Sequence, residues 1–136
     1  MKILVIEDQE MNWDLYQRIL ARKCRIPKEN ITRARWYTEA EEKISFGCYD
    51  VVFLDHRMPH DDPGCTDTDD FDKFVETLRN IGYGLIPLLL KKQPHAAIIG
   101  TSSLDRYDIG QYAIPDRRLN KTDMFHELPA IIRSLS

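Results

Sequence analysis

A chain of 136 residues, 43% hydrophobic and 30% charged, has room for one folded domain, so an output or effector domain is expected to be absent or on another chain. The formal net charge of -3 gives no sign of the basic excess of a nucleic-acid binder, and the longest apolar run, IGYGLIPLLL, is too short and too broken by Gly and Pro to span a bilayer. The start MKILVIED lacks a signal-peptide core, and Cys24, Cys48 and Cys65 form no CxxC pair, which points to a cytoplasmic chain with reduced, partly buried thiols rather than a disulfide frame or zinc site.

KILVI (2–6) reads as a short buried strand that stops at Glu7-Asp8. The period then changes, with Met11, Leu15, Ile19 and Leu20 on one face of a helix running to about Lys23. Pro27 and Asn30 mark a loop, and ITRARW (31–36) is a second strand. Thr38 and Glu41 have the spacing of a capping box for a helix through about Ser45, ended by Gly47. DVVFLD (50–55) and AAIIGTS (96–102) are the third and fourth apolar runs. YAIPDRRLN (112–120), interrupted by Pro115 and two arginines, fits a fifth, edge strand. Thr122 can cap a last helix with Phe125, Leu128, Ile131, Ile132 and Leu135 on one face and a bend at Pro129.

Short apolar strands alternating with helices imply a parallel sheet with right-handed crossovers, covered on both faces. Functional groups then collect at the carboxyl ends of the strands. Glu7 and Asp8 follow the first strand, Asp55 ends the third, Thr101 ends the fourth and Lys121 follows the fifth, so all five come from one edge of the sheet. Three crowded carboxylates repel unless a cation joins them, and a hard divalent ion with oxygen ligands, Mg2+ or Mn2+, suits that set. A lysine and a hydroxyl opposite suit phosphoryl oxygens.

With ILVIEDQEMN, VVFLDHRMP, IIGTSS and LNK in this order, the sequence resembles the receiver domain of two-component response regulators over nearly its whole length. The resemblance implies a flavodoxin-like, doubly wound, five-stranded parallel sheet of order 2-1-3-4-5. It implies that Asp55 accepts a phosphoryl group from a sensor histidine kinase or phosphotransfer protein. Glu7, Asp8, Asp55 and the backbone carbonyl of Arg57 would hold magnesium, Thr101 would be the switch hydroxyl, and Lys121 would pair with phosphoryl charge. A downstream protein target would bind the face made by the fourth helix, fifth strand and fifth helix, with no direct contact to nucleic acid or membrane.

Several positions depart from the family pattern. The interval from Asp55 to Thr101 is long, which marks about 60–83 as an insertion, an acidic loop and helix start bearing Asp61, Asp62, Asp67, Asp69, Asp70 and Asp72. Such a segment is a solvated loop and helix amino terminus, where negative charge is favourable, or a partner-docking element or lid near Asp55; DTDDFD lacks the glycine and terminal glutamate of an EF-hand loop. Arg118 stands where an aromatic residue usually follows the switch hydroxyl inward, and Thr122 stands where a proline usually follows the lysine, so that bond is either trans or strained. Ser102 replaces a small apolar residue, and Arg57 and Ser103 occupy positions that modulate water attack on the acyl phosphate. His56 and His60 read as hydrogen-bonding surface groups, and Trp13 and Trp36 as packing residues.

The reading is a single receiver domain over 1–136 that catalyses only its own aspartyl phosphorylation and dephosphorylation and is otherwise not an enzyme. The alternative is a phosphorylation-independent, receiver-like interaction module. A hydrolase with an aspartyl-phosphate intermediate usually shows a second acid two positions after the nucleophile, where this chain has Arg57.

Overall fold

The computed structural model describes residues 1–102 and 110–136. Ser103 and the fourth helix of the expected target-binding face, which would follow Ser102, lie outside the described residues. The strands of the main sheet are β1 (Ile3–Ile6), β2 (Ile31–Ala34), β3 (Val51–Leu54), β6 (Ala97–Gly100) and β7 (Arg117–Arg118). They are all parallel and ordered β2-β1-β3-β6-β7, which is the expected 2-1-3-4-5 arrangement of the sheet's own five strands.

Continuous apolar strands are needed because both faces are covered, and successive side chains alternate between them. Leu4, Ile6, Val52, Leu54 and Ile98 join Ala40 and Ile44 of α2 (Tyr37–Phe46) and Leu89 of α4 (Ile86–Lys92). Ile3, Val5, Val51, Phe53 and Ile99 join Tyr16 of α1 (Glu10–Arg18) and Leu128 and Ile132 of α5 (Met124–Leu135). The alternation continues past the strand ends, so Glu7, Asp55 and Thr101 are in phase with the α1/α5 face. The ladder runs on too: Glu7 N donates to Ala34 O at 3.0 Å and Thr101 N to Leu54 O at 2.9 Å.

Several local expectations need correction. Met11 is exposed, because Tyr16, Ile19 and Leu20 supply the buried face and the helix passes into a π-helical turn at Ile19–Lys23. The Thr38–Glu41 box does not form; Thr38 N donates to His60 O, while Glu39 reaches back to the Arg35 backbone N–H at 3.0 Å. The fifth strand is only two residues long. Thr122 is not the cap of the last helix: the Asn120 side chain accepts from Thr122 N at 3.0 Å and starts a 3-10 turn, Lys121–Asp123, before α5. Phe125 lies outside the buried stripe, under the Lys23 ammonium, and Met124 takes its place in the core. Cys48 is exposed, whereas Cys24 and Cys65 are partly buried. No described peptide bond is cis, so the Lys121–Thr122 bond is trans.

The chain after Asp55 is more ordered than an acidic loop. β4 (Arg57–Pro59) and β5 (Leu78–Asn80) pair antiparallel, with α3 (Phe71–Glu76) between them. Three of the acids serve local backbone donors. Asp70 caps α3 through Lys73 N, Asp62 accepts from Gly64 N and Asp69 from Thr66 N. Asp67 instead reaches across to Glu10 N at 3.1 Å, joining this arm to the start of α1. No helix among the described residues is long and apolar enough to cross a membrane.

Candidate functional site

The strand register sets Glu7, Asp55 and Thr101 side by side, one residue beyond the paired Ile6, Leu54 and Gly100. Oxygen atoms of Glu7, Asp8 and Asp55 lie within 4.8 Å of one another. Lys121, carried in by the turn after β7, places Nζ 2.6 Å from Asp55 Oδ2 and 2.8 Å from Glu7 Oε1. Its contact to Glu7 is an ion pair off hydrogen-bond alignment, since that buried oxygen has no aligned donor among the described residues. The second Asp55 oxygen accepts from the His56 backbone N–H at 2.7 Å.

The electrostatics follow from this crowding. Burial, then the Glu7 and Asp55 charges, push the Asp8 carboxyl up to about 8. Burial would depress the Lys121 ammonium, but the Asp55 and Glu7 carboxylates outweigh it and hold it above its ordinary range. The three acids carry more negative charge than one lysine can balance, which disfavours ionisation of Asp8. Such a donor set, rich in oxygen and short of one positive charge, fits a divalent cation such as magnesium.

The pairing of the hairpin sets which way the Arg57 carbonyl faces. Ile81 N donates to His56 O at 2.9 Å, and bonded and non-bonded pairs alternate along an antiparallel ladder. Met58↔Arg79 is therefore the next bonded pair, and Arg57↔Asn80 and Pro59↔Leu78 are non-bonded ones, as Pro59 without an N–H requires. The Arg57 carbonyl is thus turned away from β5.

Asp8, Asp55, Arg57, Thr101, Ser102, Arg118 and Lys121 all line one cleft of ≈ 680 Å³, with Leu78 of the arm among its walls. Thr101 Oγ1 is buried at the floor of the cleft, close to the Tyr16 phenol, with no other hydrogen-bond partner among the described residues. Arg118 is exposed and donates to Ser102 O at 3.0 Å instead of presenting an aromatic ring. Of the expected site residues, only Ser103 is outside the described chain.

His56 corrects the surface reading: it is wholly buried. Its Nδ1 accepts from Tyr83 N at 3.0 Å, which makes Nε2 the protonated nitrogen of the neutral ring, and its carbonyl accepts from both Ile81 and Gly82. Burial lowers its pKa, with Asp55 pulling the other way. Three consecutive amides thus clamp the residue after Asp55. Gly82 is required there, because a Cβ would stand 1.9 Å from Asp55 O. The ring packs against Tyr83 and Tyr112, with centroids 4.7 and 4.8 Å away, and Tyr83 Oη accepts from Ser102 N at 3.4 Å.

Tyr16 was also missed. Its ring packs on Phe53 at 5.4 Å, fully buried beneath the acids. Burial pushes its phenol well up, Glu7 and Asp55 add to the effect, and the Thr101 hydroxyl opposes it. A tyrosine at helical spacing carries no signal that separates it from ordinary core, and a single histidine in a loop carries none for burial.

No family model matches the sequence, and no curated protein matches it. Solved structures do match over nearly the full length. The response regulator TrrA from Thermotoga maritima, in complex with magnesium and beryllofluoride, is 24% identical, with 100% of each chain covered and a TM-score of 0.62. A receiver domain from Methylobacillus flagellatus is 19% identical, covering 100% of this chain and 98% of that one, with a TM-score of 0.68. The receiver domain of a Pseudomonas aeruginosa sensor histidine kinase, with a magnesium ion coordinated in its active-site cleft, is 18% identical, covering 98% and 95%, with a TM-score of 0.69. The chain has the response-regulator receiver fold, the chemotaxis-regulator variety of the flavodoxin-like sheet.

Proposed function

We propose that this domain is a phosphorylation-controlled receiver in which Asp55 is the phosphoacceptor. The observation that carries the reading is the convergence of Glu7, Asp8 and Asp55 with the Lys121 ammonium 2.6 Å from Asp55, at the carboxyl edge of a receiver-type sheet. Glu7, Asp8, Asp55 and the Arg57 carbonyl would hold a magnesium ion. When bound, the ion neutralises carboxylate and phosphoryl charge together.

Asp55 is the nucleophile. A carboxylate oxygen forms a bond to phosphorus as the bond from phosphorus to the donor's histidine nitrogen breaks, and that nitrogen keeps the bonding electron pair. Lys121, already paired to Asp55 Oδ2, stabilises the charge that spreads over the phosphoryl oxygens. Thr101 turns its hydroxyl to a phosphoryl oxygen. The resulting two-state change is read by protein partners that bind one state better. A sensor histidine kinase or phosphotransfer protein supplies the phosphoryl group.

The test is mass measurement after incubation with magnesium and acetyl phosphate. We expect one phosphoryl adduct on the wild type and none on Asp55→Asn. An equal adduct on the Asn variant, or none on the wild type, would refute the assignment and favour a phosphorylation-independent interaction module.

A further inference from the structure

We propose that Arg33 is a positioning residue for the acid pair, holding the turn that carries Glu7 and Asp8 without neutralising their carboxylates. The inference rests on the reading that these acids bind a divalent cation. β1 ends at Ile6, and the chain must bend there to enter α1 at Glu10. The Glu7 and Asp8 carbonyls then lie beyond the regular pairing of the sheet, where a buried backbone oxygen still needs a donor.

Arg33 supplies both donors from β2, where it is paired with Val5. Nε donates to Glu7 O at 3.1 Å and Nη2 to Asp8 O at 3.4 Å. Nη1 forms an ion pair with Glu10 Oε1 at 2.9 Å, and the guanidinium lies 5.4 Å from the Trp13 ring. Its side chain is only 13% exposed. One planar fork therefore spans the end of β1 and the first residue of α1. A lysine, with a single compact donor centre, cannot bridge the same three points.

The arrangement has a consequence for charge. Among the described contacts, the guanidinium is committed to two carbonyls and to Glu10, and none of its donors reaches the Glu7 or Asp8 carboxylate. The acids stay available to a cation while their backbone is fixed by a charged residue close at hand.

This gives a test whose sign separates positioning from charge. Removing a nearby cation would by itself tighten binding of a positive ion. Loosening the ligand-bearing turn weakens it, as loss of an outer-sphere partner does, by about 10–100-fold. Magnesium affinity is measured by calorimetry on the wild type, Arg33→Met, Arg33→Lys and the control Arg35→Met. Arg35 bonds Glu39 rather than the turn. We expect both Arg33 variants to bind magnesium more weakly and the Arg35 variant to match the wild type. If Arg33→Met does not fold, Arg33→Lys, which keeps the charge and most of the stem, carries the same comparison. Unchanged or tighter binding by a folded Arg33 variant overturns the inference alone. No binding by the wild type overturns the metal reading and this inference together.

Discussion

Magnesium binding should release a proton, and the proton should come from Asp8. In the metal-free protein this carboxyl is raised to about 8, first by burial and then by the Glu7 and Asp55 charges. A cation among the three acids requires the ionised form, so below that value binding must displace the proton. Apparent affinity should therefore rise about tenfold per pH unit between about pH 6 and 7.5, then flatten above about 8. Calorimetry in buffers of different ionisation enthalpy counts the protons directly: about one per ion near pH 6.5, falling toward zero by about pH 9. The same shift sets the stability of the metal-free form. The folded pKa lies above the unfolded one, so the folded state binds the extra proton, and stability falls as pH rises from about 4 to 8. Saturating magnesium should remove that slope. Affinity independent of pH across this range, with no proton released, would refute the account of the acid cluster.

Other perturbations probe separate supports of the site. Lys121→Met removes the cation between Glu7 and Asp55 and should cost about 3–5 kcal/mol in urea unfolding at neutral pH, recovered in part by magnesium. His56→Phe keeps an aromatic ring but leaves the buried Tyr83 N–H without an acceptor, for an expected loss of about 1–3 kcal/mol by the same measurement. Asp67→Ala removes the acceptor that joins the arm to α1 and should cost about 1 kcal/mol, with faster limited proteolysis within 61–70.

The main sheet and the central acids were legible because their signals are local and periodic. Unbroken apolar runs such as ILVI and VVFL can only be strands covered on both faces, and each ends at the carboxylate that matters. Cap positions were less legible. Thr38 and Thr122 have the right chemistry, yet His60 O and the Asn120 side chain are the groups that meet those backbone donors. Which acceptor reaches a donor depends on neighbours brought from elsewhere in the chain.

By itself the sequence determined the strand-helix alternation, the edge on which Glu7, Asp8, Asp55, Thr101 and Lys121 gather, and the departure from pattern at Arg118. Only the tertiary structure decided that the acidic continuation folds into a hairpin whose ladder turns the Arg57 carbonyl away from β5. It also decided that His56 is buried under three amides from residues 81–83, and that Arg33 grips the turn from a neighbouring strand. The division has a physical cause. Periodic burial is written into residues a few positions apart, whereas a buried polar group takes whichever partner the packing delivers, here from 25 to 27 positions away.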